Sequence, residues 1–246
     1  MNNEGVALWR QISETLTGEI DEGVLSPGDR LPASAELAAR FGVNRHTVLK
    51  AISHLQGEGL VRTERGGGIY VEKAIPYRMG ARTRLEENLR EFSLAPDREI
   101  VSVVDLRAPK NVARALRIEP GDPVVLVTLV ATADGIPISL NRNYFPTTRL
   151  PNIGTVFREL VKSESQSLAT RAVLESQGVT DFRRRSMRIR GRTPTRNEEQ
   201  YLRLPPNEWV FETEVTNVDT DGIPIVFGVT AFCITRVEFT MDFDDE

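Results

Sequence analysis

The chain has 246 residues, a hydrophobic content of 40%, a formal net charge of -4 and one cysteine. This composition is typical of a globular protein, and the length favours two domains. One cysteine excludes an intramolecular disulfide, and the longest nearly uncharged apolar run, Pro123 to Ala133, is far shorter than the ~20 residues of a membrane-spanning helix. Because the N-terminus has no basic-then-apolar signal pattern, we expect a cytoplasmic protein.

The negative net charge hides one positive segment. Between Arg40 and Arg90 there are ten lysines and arginines against five glutamates, whereas residues 242–246 are mostly acidic. We therefore expect the surface that binds nucleic acid or another polyanion to be confined to this segment.

Three helices are predicted in the first sixty residues. Apolar residues recur every four positions from Leu8 to Ile20, which predicts an amphipathic helix that ends at Gly23. The segment SAELAARF predicts a short second helix that ends at Gly42. Asn44 is a good N-cap for a third helix, because its side-chain oxygen can accept a hydrogen bond from the first turn.

A hairpin is predicted directly after the third helix. Residues 60–63 and 69–72 have the β-branched and aromatic composition of strands, and the glycine-rich segment 64–68 between them predicts a turn. Two short helices packed on a longer one and followed by such a hairpin indicate a winged helix-turn-helix.

The third helix and the hairpin turn carry groups suited to DNA. Arg45 can bind guanine O6 and N7 bidentately, and Asn44, Thr47 and the first backbone N–H groups are natural phosphate donors. Arg65 and the glycines beside it would let a thin wing approach the backbone or the minor groove. The alternative is a surface helix with ordinary solvated charges and a glycine-rich turn. The candidate DNA-binding residues are Asn44, Arg45, His46, Thr47, Lys50, Arg65, Gly66 and Gly67.

Residues 6 to 72 resemble the winged-helix domain of the GntR family of bacterial transcription regulators. The resemblance rests on the motifs P-G-D-x-L-P, E-L-A-x-x-F-G-V-x-R-x-T, L-x-x-x-G-L and G-x-x-V. Ala35 and Leu49 depart from it, because the family usually has an arginine at the first position and often has one at the second. One phosphate contact and one base contact of the family are therefore not expected here.

We expect a boundary after the wing, with a DNA-binding domain over 1–73, a linker over 74–80 and a larger domain over 81–246.

The larger domain contains DGIPI twice, at 134–138 and at 221–225. Each copy reads as strand, turn, short helix, turn, strand, Asp-Gly hairpin and strand, and the helix LATRAVLESQG joins the copies. The repetition predicts a duplicated scaffold, and the alternative is a pair of equivalent ligand-binding loops.

The larger domain resembles the UTRA ligand-sensing domain of the HutC branch of the GntR family, whose fold is also that of chorismate lyase. The resemblance implies an α+β protein with an N-terminal winged helix-turn-helix and a C-terminal sensor domain built on a mainly antiparallel sheet. Within this branch, the strings at 43–47 and 238–241 are similar to those of the regulators of phosphonate utilisation.

The same resemblance implies an anionic effector. Arg84 and Arg188 fall where the phosphonate regulators have arginine, and Asn141 falls where sugar-phosphate sensors have a ligand-contacting glutamate. Those sensors also have two arginines where this chain has Leu129 and Ala131, which argues against a sugar phosphate bound in the same way. The candidate effector residues are Arg84, Asn141 and Arg188, and the alternative for Arg188 is a solvated strand face.

Two function classes remain. The first is a homodimeric regulator, which we expect to be a repressor, that binds a double-stranded DNA operator and responds to a small anion such as a phosphonate, a sugar phosphate or a urocanate-like acid. The second is a chorismate-lyase-type enzyme. Because His46 and His54 both lie in the DNA-binding region, the larger domain has no histidine for a catalytic pair. We therefore expect a regulator without catalytic residues, metal or cofactor.

Overall fold

The structure is a computed structural model that describes residues 7–26, 28–64, 68–71, 74–80, 89, 96–133, 135–163, 170–204 and 208–241. The chain divides into two compact units, residues 1–74 and 75–246. No helix in these described ranges is long and apolar enough to cross a membrane.

The first unit is a winged helix-turn-helix, which confirms the predicted helices and hairpin. Strands β1 and β2 are antiparallel, with Val61 opposite Val71. The predicted apolar stripes of the three helices meet in one core, in which Leu16, Leu37 and Leu55 are fully buried. Leu8, where the stripe of the first helix was predicted to begin, is exposed instead. The elements of this unit are α1 (Leu8–Asp21), α2 (Ser34–Phe41), α3 (Arg45–Gly57), β1 (Val61–Glu64) and β2 (Gly68–Val71).

The second unit is built on a six-stranded antiparallel sheet in the order β4 (Pro96–Arg107), β5 (Pro123–Ala133), β6 (Ile136–Pro146), β9 (Pro224–Cys233), β8 (Val210–Asp219) and β7 (Phe182–Arg192). The sheet and its helices confirm the predicted α+β class. Its elements are β3 (Ile75–Arg78), β4 (Pro96–Arg107), α4 (Lys110–Leu116), β5 (Pro123–Ala133), β6 (Ile136–Pro146), α5 (Ile153–Lys162), α6 (Thr170–Ser176), β7 (Phe182–Arg192), α7 (Arg196–Leu202), β8 (Val210–Asp219), β9 (Pro224–Cys233) and β10 (Val237–Thr240).

The sheet is internally duplicated, as the two DGIPI copies predict. Each half contains a strand, a seven-residue helix and a hairpin, and the halves meet where β6 pairs with β9. Both hairpins have a register shift near the turn, and Gly135 and Gly222 both have φ 76°. Among the described residues, the two non-glycine residues with positive φ are Arg117 and Arg203, which end the two matching helices. The copies therefore share backbone detail as well as sequence.

The two faces of the sheet are covered by different elements. We call the face that bears α4 and α7 the front face; α4 packs near Phe227, and α7 packs near Leu140. On the back face, α5 and α6 contribute Phe157 and Leu174 to a core with the strands. The pair β3 and β10 also lies on the back face, where Tyr77 packs against aromatic rings of the sheet.

The segment predicted as a linker is in part a strand. Residues Ile75–Arg78 form β3, which pairs in parallel with β10 from the far end of the chain. Tyr77 is buried, and its ring lies 5.7 Å from that of Phe232 and 5.6 Å from that of Phe239. Pro76 suggested a break in structure, but an edge strand tolerates proline. A pairing between such distant segments cannot be read from local sequence.

Candidate DNA-binding helix and sensor cleft

Helix α3 begins with a side-chain cap that fixes its first turn. The Oδ1 atom of Asn44 accepts hydrogen bonds from the backbone N–H of Thr47 at 2.9 Å and from the Thr47 hydroxyl at 3.0 Å. The Thr47 hydroxyl is thus used inside the cap, which differs from its predicted role as a phosphate donor. The backbone N–H groups of Arg45 and His46 occupy the first positions of the helix, where no intrahelical partner exists. They and the Asn44 amide can donate to a phosphate.

Arg45 is exposed and oriented by a neighbouring helix. Its Nε donates a hydrogen bond at 2.9 Å to the Oγ of Ser34, the first residue of α2. Within the described residues, the two terminal amino groups of Arg45 have no partner. These are the donors that a bidentate contact to guanine requires, so the hydrogen bond to Ser34 holds the arginine without using them.

His46 and Lys50 are exposed on the same helix. The Nζ of Lys50 lies 4.9 Å from the centre of the Trp9 ring, so this cation packs on helix α1. The Trp9 ring also lies 5.2 Å from that of His54. Lys50 must leave the Trp9 ring to reach a phosphate, whereas nothing in the described residues engages the His46 side chain.

The wing is held to the rest of the first unit by backbone pairing. Leu31 N–H donates to the Ile69 carbonyl at 2.8 Å, and Val71 N–H donates to the Asp29 carbonyl at 2.8 Å. Strand β2 of the wing is therefore fixed on the side away from β1. The predicted contacts Arg65, Gly66 and Gly67 lie outside the described residues.

A basic cleft lies on the front face of the second unit, between α4 and the edge strand β7. It has a volume of about 330 Å³, and Arg188 is one of its lining residues. Four arginines and one glutamate give its charged lining side chains a formal charge of +3. These residues are Arg114, Arg117, Arg185, Arg188 and Glu214.

The structure does not bring Asn141 and Arg188 together. Arg188 lies opposite Glu214 on β8, in the cross-strand row that continues to Arg142 on β6. Asn141 is the preceding residue of β6, and successive strand residues point to opposite faces. Asn141 therefore lies on the back face, where its Oδ1 accepts a hydrogen bond from Thr230 at 3.1 Å. Arg84, the third predicted effector residue, lies outside the described part of the chain.

A network of arginines and carboxylates stands beside the cleft on the front face. Glu198 and Glu212 are buried, and Arg192 donates hydrogen bonds to both, at 2.6 Å and 2.7 Å respectively. Burial by itself would raise the pKa of each carboxyl group, but hydrogen bonds from arginine outweigh it and hold both pKa values below the usual range. Arg190 donates to Glu212, and Arg142 lies within 3.4 Å of Glu198. These carboxylates are ionised and fully engaged with arginine.

Cys233 is buried. Its Sγ lies 3.0 Å from the Oε1 of Glu208, and burial raises the pKa of the thiol to about 12. The thiol is therefore protonated at neutral pH, which fits a small core residue rather than a reactive group.

Sequence reasoning proposed Arg45 and Arg188 as site residues but did not identify the side chains that lie beside them. Ser34 carries no signal of its own, because its relation to Arg45 depends on how α2 meets α3. Arg114 lies on α4 of the first copy and Arg117 caps the end of that helix, and both line one cleft with Arg188 of the second copy only in the folded sheet. The sequence duplication is the signal that could have revealed Arg114, because a comparison of the two copies shows which matching positions carry different residues.

The two units together define a class of protein. A winged helix that presents an oriented arginine is a DNA-binding unit, and the attached duplicated sheet with a charged cleft is suited to bind a small molecule. This is the architecture of a transcription regulator controlled by an effector.

Comparison with known proteins identifies the family. Residues 8–71 match the family of bacterial regulatory proteins called gntR, and residues 93–237 match the UTRA domain. The chain therefore belongs to the GntR family of bacterial transcription regulators, in the branch that carries a UTRA sensor domain, and not to a family of enzymes.

Individual relatives support this assignment. The chain is 32% identical to the HTH-type transcriptional regulator RB1450 of Rhizobium meliloti (strain 1021), over 97% of this chain and 96% of that protein. It is 31% identical to the probable transcriptional regulator PhnF of Escherichia coli (strain K12), over 87% of each chain. The crystal structure of PhnF from Mycobacterium smegmatis has the same fold, with a TM-score of 0.62 at 24% identity, and it covers 97% of this chain and 100% of that one.

Proposed function

We propose that this regulator is a homodimeric repressor whose operator affinity is lowered by a small anionic metabolite of the phosphonate or phosphate-ester class. The observation that carries the proposal is the front-face cleft, where arginines line a volume of about 330 Å³. A guanidinium group offers two parallel charge-assisted hydrogen bonds to a phosphonate or phosphate. Similarity to a protein named PhnF supports the same ligand class.

The DNA-binding role is assigned to the exposed end of helix α3. In the proposed complex, Arg45 reads a base edge in the major groove, while Asn44 and the first backbone N–H groups hold phosphates. His46, Lys50 and the wing residues Arg65, Gly66 and Gly67 add further contacts. A homodimer would place two such helices on the half-sites of a palindromic operator.

The effector response can be tested on the full-length protein by fluorescence anisotropy with a labelled operator fragment. Methylphosphonate and aminoethylphosphonate should weaken operator binding, whereas urocanate should have little effect. Arg188→Ala should bind the operator as the wild type does but lose the response to phosphonates. If no phosphonate or phosphate ester changes the operator affinity of the wild type, the proposed effector class is wrong.

The homodimer and the repressor role need separate measurements. Sedimentation equilibrium should give twice the chain mass of 27.5 kDa. Deletion of the gene should raise the expression of a reporter placed behind the operator. A monomer at micromolar concentration contradicts the first expectation, and a fall in reporter expression contradicts the second.

A further inference from the structure

We infer that the front-face cleft is a binding site for a phosphoryl or phosphonyl dianion, in which Arg114 of helix α4 and Arg188 of strand β7 are paired ligands. Only the choice of ligand class rests on the proposed function. The position of the site, and the part played by Arg114, follow from the charges and the duplication of this chain.

The arginines of the cleft differ from their neighbours in having no acidic partner. On the same face, Arg190 and Arg192 are both engaged by Glu212. Within the described residues, no hydrogen bond or salt bridge is made by the side chains of four arginines, which are Arg114, Arg117, Arg185 and Arg188. The four guanidinium groups around the cleft repel each other, and a bound anion would relieve this repulsion.

The carboxylate that lines the cleft does not neutralise it. Glu214 lies within 3.4 Å of Arg190, which is itself engaged with Glu212. Even with Glu214, the cleft has more positive than negative groups, because four arginines line it. The formal charge of +3 matches an anion with two negative charges better than one with a single charge.

The second copy of the scaffold provides an internal comparison for the cleft. The helices α4 and α7 match position by position, since their caps Arg117 and Arg203 are both left-handed. At the position of Arg114, α7 has Gln200. The scaffold therefore does not require an arginine at this place on the helix.

The same comparison applies to the strand. Arg188 lies opposite Glu214 on β8, and the matching pair in the first copy is Ser102 opposite Thr128. The residues that make the cleft basic are thus absent from the equivalent place on the same face of the sheet. A role in folding would apply to both copies, so the charges at Arg114 and Arg188 point to a ligand.

The site also joins the two copies. Helix α4 follows β4 of the first copy but packs on β9 of the second, beside β8 and β7. A dianion held by Arg114 and Arg188 would therefore tie the helix of one copy to the edge strand of the other. Such a link stabilises the native second unit, and it gives the effector a way to change the mobility of the edge strand.

The test is isothermal titration calorimetry of the full-length protein with methylphosphonate and, separately, inorganic phosphate. The variants Arg114→Gln and Arg188→Ser replace each arginine of the cleft by the residue at the matching position of the other copy. Both positions are exposed, so folding should be unaffected. Each substitution should weaken binding about fivefold, and the double variant about twentyfold or more, after allowance for solvent exposure. The double variant Lys162→Gln/Arg196→Gln removes two exposed charges outside the cleft and should bind as the wild type does.

Several outcomes would overturn the inference. One is that the wild type binds neither probe, and another is that the cleft variant and the control variant lose affinity equally. A cleft variant that binds small anions normally but has lost operator affinity would make the cleft a DNA contact. If phosphonates weaken operator binding equally in the wild type and the cleft variant, the proposed effector class stands, but its placement in this cleft is wrong. If the cleft binds the probes but operator affinity does not change, the site stands and the proposed function is wrong.

Discussion

At the scale of single residues, the proposed base contact rests on the direction of one guanidinium group. Arg45 lies at the start of α3, and its Nε is held by Ser34 while its terminal amino groups remain available. A long exposed side chain loses conformational entropy when it binds, so an arginine that is already oriented pays less of this cost. The contribution of Ser34 should therefore appear in operator binding rather than in stability.

Replacing Arg45 should relax specificity at one position of each half-site. We expect Arg45→Ala to weaken operator binding by about 1–3 kcal/mol and to reduce the preference for the natural base there. The measurement is a competition of operator variants that carry each base at each position. An equal loss for every operator variant would show that Arg45 contacts only phosphate.

Removing the hydroxyl of Ser34 should produce a smaller loss of the same kind. Ser34→Ala leaves the guanidinium in place but removes its hydrogen bond, so we expect a loss of about 0.5–1.5 kcal/mol in operator affinity. Ser34→Thr keeps a hydroxyl and should retain most of the affinity. A loss with Ser34→Ala that is independent of the base at the Arg45 position would assign Ser34 another role.

At the scale of elements, the front face is organised by charge as well as by apolar packing. Helix α7 places Glu198 against the front face of the sheet, where Glu198 contacts Arg192 and Arg142. Glu198 also accepts a hydrogen bond from the Thr195 N–H at 2.8 Å. Buried carboxylates are costly unless they are paired and hydrogen-bonded, and Glu198 meets both conditions. The network thus fixes α7 and β7 relative to each other.

The lowered pKa of Glu198 predicts how stability depends on pH. The ionised form is stabilised in the folded protein, so this stability is present above the ordinary value of 4.5 and is lost as the pH falls through the lower folded pKa. At neutral pH we expect Glu198→Gln to lower the free energy of unfolding by about 2 kcal/mol. The difference from the wild type should shrink below pH 4.5.

Urea denaturation at a series of pH values measures this difference. Glu199→Gln is the matched control, because Glu199 is the exposed next residue and its change should stay within about 0.5 kcal/mol. A difference between Glu198→Gln and the wild type that does not vary with pH would mean that the ion pairs contribute no net stability.

At the scale of the whole molecule, the second unit begins earlier than the sequence suggests. Strand β3 pairs with β10, so the residues that follow the wing belong to the fold of the sensor. The Tyr77 hydroxyl accepts a hydrogen bond from Arg184 at 2.9 Å, which also joins β3 to the edge strand β7. A sensor domain that began at residue 81, as predicted, would lack all of these contacts.

Two fragments of the second unit should therefore differ in stability. A fragment of residues 75–246 should unfold at a temperature about 5–10 °C higher than a fragment of residues 81–246, because the shorter one loses β3 and the buried Tyr77 ring. Differential scanning calorimetry measures both midpoints. Tyr77→Ala in the longer fragment should reproduce most of the loss, and equal midpoints for the two fragments would show that β3 adds nothing.

The sequence by itself determined the local elements and the family. The four-residue spacing from Leu8 to Ile20, the Asn44 cap and the repeated DGIPI hairpins act over short stretches of chain, where hydrogen bonding and side-chain periodicity decide the structure. The Arg45 candidate came from the same stretch.

Only the tertiary structure decided which residues lie on the same face of the sheet or line the same cleft. The faces of Asn141 and Arg188 depend on the pairing register across four strands, and a shift by one residue would exchange them. The meeting of Arg114 with Arg188 depends on the packing of α4 over the other copy, and β3 depends on a partner from the far end of the chain. These relations are long-range, because they are set by burial of apolar faces and by strand pairing rather than by neighbours in sequence.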